Sequence, residues 1–420
     1  MKKEKFIILL VIAALAILTY LPALTQPFIE DDYPNIRLAL EYGPISGWEK
    51  MADDSVQRVR STSFILMYGL YRVFGLEPAA FYIANLIIHI INCWLVYASG
   101  RWQSIGFRVS FWAAAFFAVY EGHAEAIMWF SACNELLLFL FGFLSFLCWL
   151  VFLEKGTSRF EWLGLSFAFF ILALFSKESS VIFIPLFALP LVFPKRRFKE
   201  ALYLSPFIIA GVIYATSIFL THSHSFRFQD KSFVLTAPFW ITWTKSYGAM
   251  LWFWGFTAII SLFVWRKTEQ PLLLSLIWIG IGFIPYMFVD YMHRIPSRQT
   301  YIASVGLAWL MGTAILNLRE RYGKRWIVIT VLVLMIFHNV TYLWTKKRQQ
   351  FLVRAQPTEQ LLSFAQNVNG RIFIKCFPLH RIYVESALEL ILNKPASMIV
   401  WREDEAVGEP PVTSFCYQKK

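Results

Sequence analysis

The chain has 420 residues, 58% of them hydrophobic and 16% charged, where soluble domains carry about 25% charged residues. Its 41 Phe and 17 Trp suit lipid-facing and interfacial positions. The net charge of +12 would suggest nucleic acid in a soluble protein, but the basic residues cluster in short loops between apolar runs, which excludes nucleic acid as a partner and leaves an all-α polytopic membrane protein.

The first apolar run, 6–24, follows Met1, Lys2, Lys3, Glu4 and Lys5. At about 19 residues it is long enough to span. It lacks a small-x-small cleavage site, so it reads as an uncleaved helix with its basic end in the cytoplasm. A loop at about 25–79 follows, opening with Glu30, Asp31 and Asp32. Within it, 61–75 is apolar but flanked by Arg58, Arg60 and Arg72, which suggests a re-entrant or interfacial helix. Further spans are expected at 80–98, 107–121, 134–153, 160–175, 180–194, 201–220, 245–265, 271–289, 301–317 and 326–345, about eleven in all at roughly 20 apolar residues each.

Counting from the cytoplasm, Arg101, Arg108, Lys155, Arg159, 195–199, 266–267, Arg319, Arg321, Lys324 and Arg325 fall in inner loops, as the positive-inside rule requires. Asp31, Asp32, the 121–135 region, 176–178, 222–231 and 293–298 then share the outer face. The chain divides into a transmembrane part, 1–345, and a small soluble extracytoplasmic part, 346–420. The second reads as helix 357–368, strand 371–377, helix 383–392 and strand 397–401, with a core so small that it should rest on the membrane part. Cys376 and Cys416 could pair on an oxidising side. Cys93, Cys133 and Cys148 show no metal-ligand spacing.

Four clusters could carry chemistry. Asp31 and Asp32 are either a solvated helix end or a general base and its helper, since a carboxylate within hydrogen-bond reach can take an acceptor's proton. Glu121 and Glu125 fall one turn apart if helical, with Glu135 following; a carboxylate beside hydrocarbon usually faces a cavity. His123 reads as structural. Lys177 and Glu178 either cap a turn or present a point charge to phosphate. Arg298, with Arg294, is either an interfacial anchor or a phosphate clamp. Asn85, His89 and Asn92 form a stripe suited to interhelical hydrogen bonds. No nucleotide-binding or hydrolase motif is present.

The stretches 28–33, 58–64, 74–78, 85–92, 122–129, 174–181 and 297–307, in that order, resemble the C-type (GT-C) membrane glycosyltransferases, in particular bacterial relatives of the protein O-mannosyltransferases and of the transmembrane-tetratricopeptide O-mannosyltransferases. The tetratricopeptide repeats themselves are missing. The resemblance implies a GT-C-like bundle in the cell membrane with its active face extracytoplasmic. It also implies a polyprenyl-phosphate-linked sugar donor, a protein, glycan or lipid acceptor, and inversion at the anomeric carbon. Asp31 or Asp32 would be the base, with Glu125 beside it. Lys177, Arg298 and Arg60 would meet the donor phosphate, and Glu135, Glu121 and Glu178 would form a second acidic site. A divalent cation, Mg or Mn, held by Asp32 and Glu125, is required in some members of the family. A transporter or flippase of lipid-linked glycan, and a non-catalytic assembly subunit, are the alternatives the residues leave open.

Overall fold

The computed structural model describes residues 2–53, 60–156, 159–194, 198–222, 238–265, 269–288, 295, 297–322, 325–402 and 412–418. The expectations for Arg58, for 195–197, 223–231 and 266–267, for His293 and Arg294, and for Lys324 lie outside them.

Continuous apolar runs make the long helices. Among the described residues five are long and apolar enough to cross a bilayer: Lys3–Thr25, Pro78–Arg101, Phe130–Lys155, Lys199–Ile218 and Trp326–Ala365. A sixth is added if Phe239–Leu251 and Trp254–Phe263, bent by 74°, count as one span. The chain is thus a multi-pass membrane protein. Four shorter apolar helices, Gly106–Val119, Phe160–Leu174, Glu178–Val192 and Gln270–Tyr286, coincide with expected spans. The first has 14 residues, about 21 Å at 1.5 Å each, short of a ~30 Å hydrocarbon core. The expected 301–317 span falls on Ser304–Tyr322, whose last turns carry Arg319, Glu320 and Arg321.

That helix is enclosed along most of its length, buried without a break from Ser304 to Ile315. A Cβ at Gly306 would stand 2.4 Å from the Ser275 carbonyl, and one at Gly312 would stand 2.4 Å from that of Val109. Only bare backbone allows three helices this close, which is how membrane bundles pack without a hydrophobic driving force between helices. Trp309 of the Ser304–Tyr322 helix meets Trp278 of the helix Glu269–Gly282 edge-on at 4.8 Å. The polar stripe meets neighbouring elements as expected. Asn85 donates to the Ile127 carbonyl (3.3 Å), Asn92 to that of Leu136 (3.1 Å), and His89 shares a 2.6 Å bond with the Tyr301 hydroxyl.

The loops assigned to the cytoplasm gather at one end, through Arg101–Glu154 (2.6 Å) and Arg108–Glu320 (3.8 Å). At the other end the 61–75 segment is a helix, Ser61–Phe74. It is pinned where Thr62 N–H donates to the Phe175 carbonyl (3.2 Å) and its hydroxyl meets Ser176 Oγ (2.7 Å).

The helix Arg325–Tyr342 runs on through a π turn, Leu343–Lys347, into Arg348–Ala365. Pro357 lies inside this helix, although a proline favours a first turn and its position suggested a start there. Beyond it lie β1 (Arg371–Cys376), the helix Arg381–Leu392, β2 (Ile399–Val400) and β3 (Val412–Cys416). They form a parallel sheet in the order β2-β1-β3. The sequence reading missed β3, which is only five residues long. Cys376 and Cys416 are register partners in β1 and β3 and form a disulfide. Arg37, on the helix after Asp32, reaches Glu389 (3.1 Å) and Ser386 Oγ (3.5 Å), so this sheet-and-helix unit rests on the first loop.

Candidate active site

Asp31 and Asp32 are adjacent but have opposite surroundings. Asp32 is fully buried. Its Oδ2 accepts from Ile29 N–H (2.9 Å), and its Oδ1 accepts from Ser131 N–H (2.7 Å) and Ser131 Oγ–H (2.6 Å). Burial pushes its carboxyl up to about 7 despite these donors. Asp31 is half-buried, and its carboxylate has no hydrogen bond or ion pair among the described residues.

Glu30 completes the acidic triplet in a third way. Its φ of 43° is the left-handed region that side chains other than glycine rarely adopt. There its carboxylate takes a two-pronged contact from Arg354, Nη2 at 2.6 Å and Nε at 3.1 Å. The Arg354 guanidinium also lies 4.4 Å from the Trp129 ring centre. Arg298 lies 4.7 Å from the same ring, so one buried indole carries two guanidiniums, an arrangement favoured by the ring's quadrupole.

Arg298 Nη1 donates to Glu125 Oε1 (3.1 Å). Glu125 Oε2 accepts from Ser297 Oγ–H (3.0 Å) and Arg298 N–H (3.2 Å). Burial would raise this carboxyl, but Arg298, its own N–H, Ser297 and Arg354 together hold it below the usual range. A cleft of about 330 Å³ opens beside Glu125 and Ser297, walled opposite by Lys347, Gln350, Phe351 and Arg354.

A second polar group lies deeper. Arg60 clasps Glu178 with contacts of 2.8–3.1 Å. Lys177 is ion-paired to Glu135, with the two side chains only 9% and 2% exposed. Tyr286 donates toward Ser179 Oγ (2.9 Å) and lies 3.3 Å from Glu135 Oε2, with Lys177 Nζ 5.2 Å from its ring centre. Glu121 stands apart from Glu125, because a short 3-10 turn, Glu121–His123, precedes the helix Ala124–Met128 and breaks the expected shared face. Asn339 Oδ1 accepts its backbone N–H (3.0 Å). His123 is buried against Ser304 Oγ (2.7 Å), a structural role as read.

The structure therefore brings Asp31, Asp32, Glu125 and Arg298 into one region, and Arg60, Lys177, Glu135 and Glu178 into another. Sequence reasoning missed Arg354, one basic residue in a polar tail with no motif around it, and gave Trp129 no role although it closes a quoted stretch. The donor set does not fit a divalent cation on Asp32 and Glu125. Asp32 already accepts three hydrogen bonds and Glu125 a guanidinium. Among the described residues no group of three His, Cys, Asp or Glu side chains could hold a metal ion.

No family profile matches the chain, and no curated protein matches it in sequence. Solved structures do match in fold. The oligosaccharyltransferase of Archaeoglobus fulgidus, in a complex with Zn and sulfate, superposes with a TM-score of 0.54 at 12% identity, over 92% of this chain and 62% of that one. The oligosaccharyltransferase AglB, also from Archaeoglobus fulgidus, in complex with an inhibitory peptide and a dolichol-phosphate, gives 0.54 at 12%, over 96% and 65%. The chain thus spans just under two thirds of these archaeal proteins. ArnT from Cupriavidus metallidurans bound to undecaprenyl phosphate gives 0.50 at 13%, over 96% and 89%. The likeness is one of fold: the chain shares the fold of this archaeal oligosaccharyltransferase and of ArnT.

Proposed function

We propose that the chain is an integral-membrane glycosyltransferase. It moves a sugar from a polyprenyl-phosphate donor to an acceptor hydroxyl at the extracytoplasmic end of the bundle, with inversion. The observation that carries this reading is the contrast within the acidic triplet. Glu30 and Asp32 are fully engaged, while the Asp31 carboxylate has no hydrogen bond or ion pair among the described residues, and Arg354, which holds Glu30, lines a cleft together with Lys347 and Glu125.

Asp31 takes the proton of the acceptor hydroxyl as its oxygen attacks the anomeric carbon. The bond from that carbon to the phosphate oxygen breaks, and the electron pair leaves with the polyprenyl phosphate. Arg298, beside Glu125, meets the charge that grows on the leaving phosphate, an electrostatic contribution that is strongest in a water-poor site. Asp32 is a positioning residue, tying the turn before Asp31 to Ser131. Lys177 and Arg60 add positive potential from behind, each held by its own acid. The mechanism runs on these side chains and routes no step through Mg or Mn.

The relatives' lipid carriers support a lipid-linked donor: AglB was captured with a dolichol-phosphate and ArnT with undecaprenyl phosphate. A transporter would need a polar route between the two ends. Here the middle of the bundle is filled by Phe116, Phe117, Phe139, Trp278 and Trp309, all fully buried. The test is incubation of the purified protein with a panel of polyprenyl-phosphate sugars and an acceptor mixture, reading released lipid phosphate by mass spectrometry. Release that stops in Asp31→Asn supports the reading; no release from any donor overturns it.

A further inference from the structure

A second cavity, of about 480 Å³, lies at the end of the bundle away from the acidic triplet. Four helices bring one end each to it: Lys2–Tyr20 through Ile8, Pro78–Ala98 through Tyr97, Gly106–Val119 through Arg108 and Trp112, and Ser304–Tyr322 through Arg319. Its surroundings are sorted by depth. Lys5 precedes Ile8 by three residues, Arg108 precedes Trp112 by four, and Arg319 follows Leu316 by three, spacings that stack each pair on one face of its helix. The first and third of the four helices run away from this end, and Ser304–Tyr322 runs toward it. On all three, the cation therefore sits about 5 Å, one turn, nearer the end of the bundle than its apolar partner. Lys5 Nζ stands 5.8 Å from the ring centre of Phe107, which also lines the cavity.

Carboxylates do not saturate the outer level. Glu320 faces Arg108, but across 3.8 Å with the two side chains 83% and 49% exposed, a pairing worth little by itself. Among the described residues Arg319 has no ion pair or hydrogen bond, and Lys5 has its ring contact alone. Glu4, next to Lys5 in the chain, is engaged in an interaction of its own. One turn deeper the lining is aromatic, with Tyr97 against Phe107 (5.7 Å) and Phe111 against Trp112 (4.7 Å). The Tyr97 hydroxyl and the Trp112 indole N–H have no hydrogen bond among the described residues. Such rings, apolar in body and polar at one tip, settle at the boundary between head groups and chains. A soluble anion would meet the cations and leave the aromatic level bare. An apolar segment of another chain would cover the rings and leave the cations unmatched. A phospholipid of net negative charge matches both levels at once.

We propose that this cavity binds one anionic phospholipid of the phosphatidylglycerol type, with its phosphodiester between Arg108 and Arg319 and its first acyl carbons against Trp112 and Leu316. Basic pockets between membrane helices on the cytoplasmic side take anionic head groups in this way. The lipid ties together three helix ends at a level where the protein's own ion pair is the exposed Arg108–Glu320. The site takes no part in sugar transfer and stands whether or not the chain is a transferase. Its leaflet, the cytoplasmic one, follows from the orientation read from the loop charges.

The test is native mass spectrometry of the full chain released from mixed phosphatidylcholine and phosphatidylglycerol nanodiscs, with thermal unfolding read on the same samples. One phosphatidylglycerol per chain should stay bound where phosphatidylcholine does not, and phosphatidylglycerol should raise the unfolding midpoint. Arg319→Gln should weaken retention about tenfold, the loss of one charge-assisted contact, and Arg108→Gln with Arg319→Gln should abolish it. Arg108→Lys with Arg319→Lys should keep most of the binding, which separates lost charge from lost packing. Arg159→Gln removes a cation from the same end but not from the cavity and should change nothing. Equal retention of the two lipids overturns the proposal, as does unchanged retention in the double glutamine variant. Equal weakening by Arg159→Gln also overturns it, since that is the general attraction of a basic surface. Displacement of the lipid by glycerol phosphate at equal affinity overturns the lipid and leaves a site for a soluble anion. If the double glutamine variant unfolds early in phosphatidylcholine alone and the double lysine variant restores no binding, the two arginines are structural and the proposal falls.

Discussion

Asp32 accepts both the backbone N–H and the hydroxyl of Ser131, 99 residues downstream. The bond pair ties the first loop to the second and uses up one carboxylate oxygen, while Ile29 N–H takes the other. Two neighbouring acids that look equivalent in sequence thereby acquire different work. Asp31→Asn should leave the unfolding midpoint unchanged and abolish lipid-phosphate release. Asp32→Asn sets an amide donor against a backbone or hydroxyl donor and should cost about 1–3 kcal/mol, the price of an unmade buried hydrogen bond. Thermal unfolding and turnover on the same two variants check this, and a loss of turnover without loss of stability in Asp32→Asn would contradict it.

The same burial makes Asp32 sensitive to pH. Its folded carboxyl sits at about 7 against about 3.9 in an unfolded chain, so between those values the folded state holds the extra proton. Stability from this group is complete below about pH 4 and lost as pH rises through 7. Measured from pH 5 to pH 9, the unfolding midpoint of the parent should fall relative to that of Asp32→Asn, whose amide does not titrate. Parallel curves would show that Asp32 is not the group responsible.

Lys177 and Glu135 form the most enclosed ion pair among the described residues. Removing one partner from a buried pair leaves an uncompensated charge and typically costs about 3–5 kcal/mol. Glu135→Gln should therefore destabilise strongly, while Glu135→Gln combined with Lys177→Met should recover most of the loss. Turnover by the stable double variant then decides whether Lys177 has any part in meeting the donor phosphate. Retention of full activity would confine it to holding the 177–180 turn against the bundle.

Much of the polar end was legible in advance because its residues sit in short breaks between apolar runs, where an ionisable group is conspicuous. Asp31, Asp32, Glu125, Lys177 and Arg298 were all visible for that reason. Pairing was not legible. Nothing in spacing says that Lys177 chooses Glu135 over its neighbour Glu178, or that Glu178 goes to Arg60, because these contacts join segments more than 40 residues apart. Glu121 and Glu125 failed as a pair because Gly122 and His123 sit in a 3-10 turn, which rotates side chains differently from the assumed α-helix. Arg354 was hidden by composition, one cation in a tail rich in them. Apolar content marks burial and membrane crossing alike, so the described helices long enough to span number five or six against about eleven expected, and Gly106–Val119, with 14 residues of which nine are buried, fits either reading.

The disulfide between Cys376 and Cys416 closes a 40-residue separation in a unit whose own core is small. Its removal should cost about 2–5 kcal/mol within that unit. Cys376→Ser with Cys416→Ser should make 366–418 sensitive to limited proteolysis while leaving the helical bundle protected. The same bond tests orientation, since disulfides persist on oxidising sides of membranes. After mild reduction of intact cells, a membrane-impermeant maleimide should label both cysteines, whereas Cys93, Cys133 and Cys148, all buried, should not react.

Metal dependence can be separated from the rest by the occupancy of Asp32 and Glu125. A divalent cation binding there would have to displace Ser131 and Ile29 from the first and Arg298 and Ser297 from the second, four elements of the fold's own hydrogen bonding. Octahedral Mg keeps several waters and needs oxygens that are free to turn toward it, and of Asp31, Asp32 and Glu125 only Asp31 offers that. Exhaustive treatment with EDTA should therefore leave both the unfolding midpoint and the rate of lipid-phosphate release unchanged, and adding Mg or Mn back should give no increase. A rate that falls on chelation and returns with Mn would show that these contacts open during turnover, and that Asp31 then acts as a ligand rather than as a base.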